Sequence, residues 1–240
     1  MASVTKAFTI LTCVSGAGGS GLPFAEIVRQ TDLPKASTHR LLKEMVEVGA
    51  LTFDIPTKCY RCGLLLARLG AGVIGTYDIR SRVRPYLEAL QKASGQVATL
   101  GILNGAEGVY IDKVETSDFG IRLHSEIGKA FPLHATAMGK VLLAFDDEAV
   151  FSNKLTAYTD KTITSRAQLK TICKEIRKQG FAIDNEEITR GLVCIAAPVY
   201  GADGKCAGAI SCTSPTYILD DNSVDAIKSA VIKQAAKASI

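Results

Sequence analysis

The sequence feature that most constrains the fold is the stretch of residues 22–49, which predicts two short helices separated by a tight turn. The apolar pattern of the first helix fails at Thr31-Asp32, two polar residues that favour turns. Pro34 then suits the first turn of a second helix, because the N–H that proline lacks would have had no partner there. The second helix carries a face with the spacing of a half-buried helix, formed by Thr38, Leu41, Leu42, Met45 and Val48.

The outer face of this second helix is basic, which is typical of a helix that reads DNA. A recognition helix presents its N-terminal part to base edges in the major groove, where an arginine can bond one guanine in two places. A solvated amphipathic helix whose outer face happens to be basic is the alternative interpretation. If the helix reads DNA, the candidate contacts are Lys35, Ala36, Ser37, Thr38, His39, Arg40 and Lys43.

A short hairpin is predicted directly after the second helix. Residues 50–53 form one strand, and residues 58–61 form the returning strand after a turn. A further helix before the pair is predicted from Val4, Ala7, Phe8, Leu11 and Val14. A helix trio followed by a hairpin is a winged helix-turn-helix, in which Lys58 and Arg61 at the wing would contact DNA phosphates.

Composition places the chain among globular proteins. It has 240 residues, of which 47% are hydrophobic and 22% charged, enough to bury a core in one large or two smaller domains. The net charge of +4 is modest, so a DNA-binding surface has to be local. No apolar run reaches the ~20 residues that a membrane span needs, and the N-terminus lacks the apolar core of a secretory signal. We therefore expect a cytoplasmic protein.

Two motifs in the first part of the chain allow alternative interpretations. Cys59 and Cys62 have the Cys-x-x-Cys spacing of a zinc or redox site, but in a strand they point to opposite faces, and no second pair lies nearby. Residues 16–21 are rich in glycine yet lack the Lys-Ser/Thr pair of a phosphate-binding loop. The seven cysteines, an odd number among apolar neighbours, favour reduced thiols over disulfides.

The middle of the chain predicts two helices between globular parts. Residues 63–75 are apolar with small residues, and a second helical pattern follows at residues 78–94. The winged helix-turn-helix is too small to bury every face of the apolar helix at residues 63–75. We therefore expect a second copy of the chain to cover this helix in a dimer. We place the winged head at residues 1–63, a linker helix at residues 64–78 and a sensor domain at residues 79–240.

The apolar pattern changes from helical to strand-like after residue 97. Residues 97–103 and 109–115 flank a turn and predict an antiparallel hairpin. Further strands are predicted at residues 121–125, 193–200 and 206–213, and helices at residues 136–145, 166–179 and 220–238. Strands that return on themselves with helices between them give an α+β fold on an antiparallel sheet.

Three segments carry a resemblance to a known family: LPKASTHRLLKEMVEVGAL, FPLHATAMGKVLLA and QGFAIDNEEITRGLVCIAAPVYGADGKCAGAISCTSP. The chain resembles the isocitrate-lyase-regulator (IclR) family of bacterial transcription regulators over nearly its whole length. The resemblance implies a winged head, a linker helix and a GAF-like sensor domain, working as homodimers or dimers of dimers. One departure lies in the wing, where residues 58–63 read KCYRCG and the family usually has Tyr followed by Leu-Gly.

The predicted helix that begins after Thr136 suggests an anion site. Thr136 can cap this helix, and open N–H groups in its first turn favour a small carboxylate. A capped helix packed against the sheet explains the same residues without a ligand. The resemblance implies an effector at this helix start, the acidic loop and the last two strands, where it assigns Ala137, Met138, Asp184, Leu192, Cys194, Ser211 and Thr213.

Two chemical alternatives concern the same domain. Asp184, Glu186 and Glu187 could be metal ligands, with His134 as the one nitrogen nearby, although acidic loops are more often solvated. Cys194 with His134 as its base would suit a nucleophilic enzyme, but no third orienting group or oxyanion site accompanies them. We predict no catalytic residue, no bound metal and no cofactor.

The whole sequence predicts a DNA-binding transcription regulator whose operator binding responds to a small organic effector. Its expected partners are a double-stranded DNA operator, an organic acid and further copies of the same chain, and no membrane. The alternative is a small-molecule sensor that acts through protein partners, with the head as an interaction module.

Overall fold

The computed structural model describes residues 2–76, 78–115, 125–146, 149 and 154–240. The chain divides into two compact units, Met1–Thr76 and Tyr77–Ile240. Within the described residues, no helix has both the length and the apolar composition that crossing a bilayer would require. The strand predicted at residues 121–125 lies outside the described part of the chain, apart from Ser125.

The first unit is a winged helix-turn-helix. Its helices are α1 (Ser3–Gly16), α2 (Phe24–Thr31), α3 (Lys35–Glu47) and α4 (Leu64–Thr76). Its strands are β1 (Leu22–Pro23), β2 (Leu51–Asp54) and β3 (Cys59–Cys62), which pair antiparallel in the order β1-β3-β2. The predicted wing hairpin is confirmed. The sequence pattern does not reveal β1, because a two-residue strand is too short to show alternation.

The helices of the first unit close around an apolar core. Ile10, Val14, Ile27 and Leu42 are fully buried in it. Asp32 forms the turn between α2 and α3 with a left-handed backbone, at φ 51°, and its N–H bonds the last turn of α2. The predicted break in the helical pattern at this residue is confirmed.

Some apolar residues of the predicted helix patterns are exposed. Val4 and Phe8 in α1 are 68% and 65% exposed, and Val48 at the end of α3 is 64% exposed. The buried line of α1 runs through Ile10 and Val14, so Val4 and Phe8 lie on another face of that helix. Val48 is the C-cap residue of α3 and follows the last turn that packs against the core. Its assignment to the buried face is therefore wrong.

The second unit is an α+β domain on an antiparallel sheet. Its strands are β4 (Val97–Asn104), β5 (Glu107–Val114), β6 (Ala130–Pro132), β7 (Ala182–Asn185), β8 (Leu192–Tyr200) and β9 (Cys206–Pro215). In the described residues, the sheet order is β6-β5-β4-β9-β8-β7. The helices are α5 (Asp78–Ser94), α6 (Ala137–Phe145), α7 (Arg166–Gln179) and α8 (Asp221–Ala238). The predicted fold class and hairpins are confirmed.

Helices cover both faces of this sheet. On β8, Ile195, Ala197 and Val199 belong to the core beneath α5 and α8, whereas Cys194 and Ala196 belong to the core beneath α6 and α7. Successive side chains of a strand point to opposite faces, so one strand serves two cores. The residues assigned to the effector lie on the α6 side.

A β-bulge in β5 places Tyr110 and Asp112 on opposite faces of the sheet. The register shifts between Tyr110, which pairs with Gly101, and Asp112, so Ile111 is the extra residue. In a regular strand Tyr110 and Asp112 would share a face. Here the Tyr110 ring packs beneath α6, whereas the Asp112 carboxylate accepts a hydrogen bond from Arg84 of α5 at 2.9 Å.

Candidate functional site

The outer face of α3 carries exposed basic side chains. The side chains of Arg40 and Lys43 are 63% and 74% exposed. Arg40 Nη1 lies 2.9 Å from Glu44 Oε1, and Lys43 Nζ lies 3.9 Å from Glu47 Oε1. Exposed pairs at this helical spacing contribute about 0.3–0.5 kcal/mol, so a phosphate group can readily displace either glutamate.

The N-terminal part of α3 presents a mixed surface beside these cations. Lys35, Ala36 and His39 are exposed, and Ser37 is half-buried. The His39 ring meets the Phe24 ring edge-on, with a centroid distance of 6.0 Å. This contact restrains the imidazole while leaving it at the surface, where it can reach a ligand.

Thr38 does not join this surface. Its side chain is fully buried, and its hydroxyl donates a hydrogen bond to the Pro34 carbonyl oxygen at 3.1 Å. It lies on the packed side of α3 together with Leu41 and Leu42. Thr38 therefore supports the start of the helix, and its side chain is not available for the DNA contact assigned to it.

The two basic residues assigned to the wing differ in their surroundings. Lys58 lies at the exposed tip of the hairpin, with a left-handed backbone at φ 52°. Arg61 lies in β3, where its Nη2 is 3.0 Å from Asp54 Oδ2. The Lys58 side chain is therefore free to reorient toward a DNA phosphate. Arg61 would have to break its ion pair with Asp54, or share its guanidinium between Asp54 and the phosphate.

The Cys-x-x-Cys pair occupies both ends of β3. Cys59 pairs with Asp54 and Cys62 pairs with Leu51 across the wing, and burial raises the pKa of the Cys62 thiol. In the described ranges, the cysteines are free thiols, and no three His, Cys, Asp or Glu side chains gather as a metal site. The pair is thus accommodated as part of an ordinary hairpin strand.

A cavity of about 80 Å³ lies between the sheet and α6 in the second unit. Six of the seven residues that the family resemblance assigns to an effector line it, namely Met138, Asp184, Leu192, Cys194, Ser211 and Thr213. Ala137 is the exception, because its side chain is fully buried in the core beneath α6. Neighbouring residues of a helix point in different directions, so Met138 reaches the cavity and Ala137 does not.

Other residues of the cavity wall were not assigned from the sequence. They come from β4, β5, the segments before α6 and the loop between β7 and β8: Thr99, Tyr110, Ser125, Thr136, Ile188 and Thr189. Thr99 could have been found, because it is a polar residue within the otherwise apolar run of β4. Tyr110 alternates with Val109 and Ile111, which pack on the other face of the sheet, but this alternation does not reveal which face borders a cavity.

The polar side chains on the sheet floor of the cavity form hydrogen bonds with each other. Thr99 Oγ1 and Ser211 Oγ lie 2.7 Å apart across β4 and β9. Thr213 Oγ1 donates to Cys194 Sγ at 3.2 Å across β9 and β8. These pairs hold the floor in place before any ligand binds, and each hydroxyl oxygen retains the capacity to accept a further hydrogen bond.

Asp184 lies in the wall at the end of β7 and is 3% exposed. Its Oδ1 accepts a hydrogen bond from the Glu187 N–H at 2.7 Å, which closes the turn after the strand. Burial raises the pKa of the Asp184 carboxyl to about 7, the Glu187 carboxylate adds to the rise, and Lys140 opposes it. Near neutral pH this carboxyl can therefore be either a donor or an acceptor.

A buried ion pair supports the loop after Asp184. Lys140 and Glu187 are 2% and 6% exposed, and Lys140 Nζ bonds both Glu187 Oε1 and a backbone carbonyl of β7. Glu186 is more exposed and pairs with Lys161. Among the described residues, these carboxylates have separate protein partners and do not converge on one point. The arrangement indicates that these carboxylates stabilise the loop, and it does not favour their interpretation as metal ligands.

Cys194 does not have the surroundings of a nucleophile. Burial raises the pKa of its thiol to about 12, and the Asp184 carboxylate adds to the rise. His134, the base considered for it, has Nε2 within 2.9 Å of the Thr156 carbonyl oxygen. The thiol therefore stays protonated near neutral pH, where the thiolate would be needed for attack.

The predicted cap of α6 is confirmed. The Gly139 N–H donates to Thr136 Oγ1 at 3.0 Å, and the Lys140 N–H donates to the Thr136 carbonyl at 3.0 Å. The N–H groups of Ala137 and Met138 precede the first possible intrahelical bonds. Because Thr136 and Met138 both line the cavity, the positive end of the α6 dipole lies at its wall.

Comparisons with known proteins agree with this architecture. The family model for the bacterial transcriptional regulator IclR C-terminal matches residues 71–240, and the one for the IclR helix-turn-helix domain matches residues 3–54. The chain is 36% identical to the HTH-type transcriptional regulator XynR of Escherichia coli, over 91% of this chain and 88% of that protein. It is 34% identical to BhcR of Paracoccus denitrificans, over 97% and 84%. An IclR transcriptional regulator from Alicyclobacillus acidocaldarius superposes with a TM-score of 0.82 at 26% identity, over 99% and 97%.

Proposed function

Because the chain belongs to the IclR family of bacterial transcriptional regulators, we propose that α3 and the wing hold an operator and that a small organic acid in the cavity controls this binding. The relatives named above are transcriptional regulators rather than enzymes. One observation carries the cavity assignment: six residues that are distant in sequence, and assigned by resemblance alone, share one wall.

DNA recognition is proposed for the exposed side of α3. Arg40 and Lys43 supply the charge, and the helix start supplies shorter polar side chains that can approach base edges. Lys58 and Arg61 would bind phosphates from the wing and set the register of the head on the duplex. The α3 residues proposed to meet DNA are Lys35, Ala36, Ser37, His39, Arg40 and Lys43.

The cavity suits a small acid with polar substituents. The start of α6 favours the carboxylate of the effector, because its first N–H groups and its dipole are positive. Asp184 meets a hydroxyl group of the effector, and the hydroxyls of Ser211 and Thr213 bond its oxygens. Leu192, Cys194 and Met138 provide the apolar part of the wall.

The regulator is proposed to act in the cytoplasm as a homodimer or a dimer of dimers. A twofold protein matches an operator with two half-sites. Leu64 and Leu69 on α4 are 81% and 60% exposed, and a second copy of the chain would cover them. Control requires that the effector bind one arrangement of the heads more tightly, since equal affinity for both would shift nothing.

A gel-shift series with the DNA upstream of the gene tests the head. Arg40→Ala combined with Lys43→Ala should weaken binding by at least about tenfold, and the salt dependence should become shallower because fewer phosphates are neutralised. Lys170→Ala combined with Lys174→Ala removes two exposed cations from α7 and should leave binding unchanged. Binding that survives the α3 changes would refute the recognition face.

A thermal-shift screen of small organic acids tests the cavity. An acid that raises the melting temperature should also alter operator binding, because ligand and DNA then act on one conformational equilibrium. Thr213→Val should reduce the shift caused by that acid, whereas Thr171→Val on the exposed side of α7 should not. A shift unaffected by Thr213→Val would place the ligand elsewhere.

A further inference from the structure

A buried hydroxyl group in the cavity wall has no hydrogen-bond partner within the described residues. Ser125 is 8% exposed, lines the cavity and has an unpartnered Oγ. Tyr110 also lines the cavity. The hydroxyls of the floor differ, because Thr99 bonds Ser211. Buried hydroxyl groups are normally partnered, so the Ser125 hydroxyl points to a ligand, and the Tyr110 hydroxyl is available to the same ligand because Tyr110 lines the same cavity.

Backbone hydrogen bonds join the two segments that carry Ser125 and Tyr110. The Tyr110 N–H donates to the Lys129 carbonyl at 3.1 Å, and the Gly128 N–H donates to the Tyr110 carbonyl at 2.7 Å. These bonds hold the turn that follows Ser125 alongside β5. The placement of both residues in the wall of one cavity is therefore supported by backbone bonds that do not depend on a ligand.

The Tyr110 ring is held in a fixed place. Its centroid lies 4.6 Å from that of Phe131. Phe131 in turn lies over Gly101 and Gly108, where an added Cβ would come within 2.8 Å and 2.1 Å of its ring. The absence of side chains at both glycines lets Phe131 sit against the sheet. The Tyr110 hydroxyl is thus positioned before the effector arrives, which limits the entropy lost on binding.

We infer that Tyr110 and Ser125 are specificity-determining residues that donate hydrogen bonds to an oxygen acceptor of the effector. Burial raises the pKa of Tyr110, and Cys194 and Asp184 add to the rise, so the phenol keeps its proton and remains a donor. An apolar group facing these two residues would leave both hydroxyls unpaired. The effector class is therefore a small acid with a second oxygen-bearing group. This inference rests on the proposed function, because it concerns the same cavity.

Matched acids that differ by one oxygen test the inference. The pairs are propionate and lactate, butyrate and 3-hydroxybutyrate, and benzoate and 4-hydroxybenzoate, titrated by calorimetry into the full chain. The wild type should bind the hydroxylated member of a pair at least about tenfold more tightly, because the other member leaves donors unpaired. Tyr110→Phe combined with Ser125→Ala should bring the two members of the pair to within about twofold.

Matched control variants separate this effect from a structural one. Ser214 also has a buried Oγ without a partner among the described residues, but it does not line the cavity. Tyr86 packs against the core on the other face of the sheet. Ser214→Ala and Tyr86→Phe should keep the preference for the hydroxylated acid.

The melting temperature without ligand gives a second readout. Ser125→Ala removes no hydrogen bond between described residues, so it should leave this temperature unchanged or raise it. A lowered melting temperature with an unchanged preference would overturn the inference. If the wild type binds none of the acids, the proposed effector class fails as well. If it binds them and the double variant keeps the preference, only the inference fails.

Discussion

The backbone N–H of Glu187 donates a hydrogen bond to Asp184 Oδ1 at 2.7 Å, where the chain leaves β7. The same carboxyl group lines the cavity. Asp184 therefore belongs both to the loop that borders the cavity and to the surface that a ligand would touch. Its protonation state affects the stability of this loop and the hydrogen bonds offered to an effector.

Replacing Asp184 with Asn should remove a pH dependence of stability. Burial raises the pKa of Asp184 to about 7, whereas an unfolded aspartate has a pKa of about 3.9. Between these values the folded chain keeps a proton that the unfolded chain has released, so the free energy of unfolding falls as pH rises and levels off above the folded pKa. In urea unfolding, the wild type should lose about 2 to 3 kcal/mol relative to Asp184→Asn between about pH 5 and about pH 8.

Asp203→Asn provides the control for this pH series, since Asp203 is exposed in the turn between β8 and β9. Its unfolding free energy should run parallel to that of the wild type at each pH. If the Asp184→Asn curve is also parallel to the wild type, the raised pKa of Asp184 is contradicted.

Lys140→Met should destabilise the second unit by about 3–5 kcal/mol, because it leaves the Glu187 carboxylate buried without its cation. The matched change Lys161→Met affects the more exposed pair with Glu186 and should cost less than about 1 kcal/mol. Adding Glu187→Leu to Lys140→Met should recover part of the loss, since no buried charge then remains. Urea unfolding measures all three, and equal losses for the two lysines would contradict the structure.

Thr38→Val should lower stability by about 1 kcal/mol, because it keeps the shape of the buried side chain but removes the hydrogen bond to Pro34. Its affinity for operator DNA, measured on folded protein, should stay within about twofold of the wild type, since the side chain is fully buried. A tenfold loss of affinity without a matching loss of stability would instead indicate that Thr38 contacts DNA.

Glu44→Gln should strengthen DNA binding. The glutamate competes with phosphate for Arg40, whose Nη1 lies 2.9 Å away. Removing this charge should raise affinity by about two- to fivefold at low salt, and the gain should shrink as salt screens the charges. Glu88→Gln removes a similar partner from Arg84 on α5 and serves as the control in the same gel-shift assay. A gain for Glu88→Gln of the same size would show a non-specific effect of net charge.

Local signals in the sequence were sufficient for most of the architecture. Pro34 marks the start of α3, and Thr136 caps α6, because both act on the backbone within a few residues. The alternating pattern of β8 and β9 likewise predicts a hairpin without knowledge of the remaining sheet. Local patterns predicted burial less reliably at helix ends, as the exposure of Val48 at the end of α3 shows.

The sequence by itself determined the order of the elements, the winged head and the family, because periodicity, capping and turn chemistry are local and the resemblance spans both units. Only the tertiary structure decided which side chains line the cavity and how their pKa values are shifted. Side chains from β4, β5, α6, β8 and β9 meet at one wall, and burial raises the pKa of Asp184 to about 7. Both effects depend on which surfaces meet and how much water they exclude, and spacing along the chain does not specify either of these.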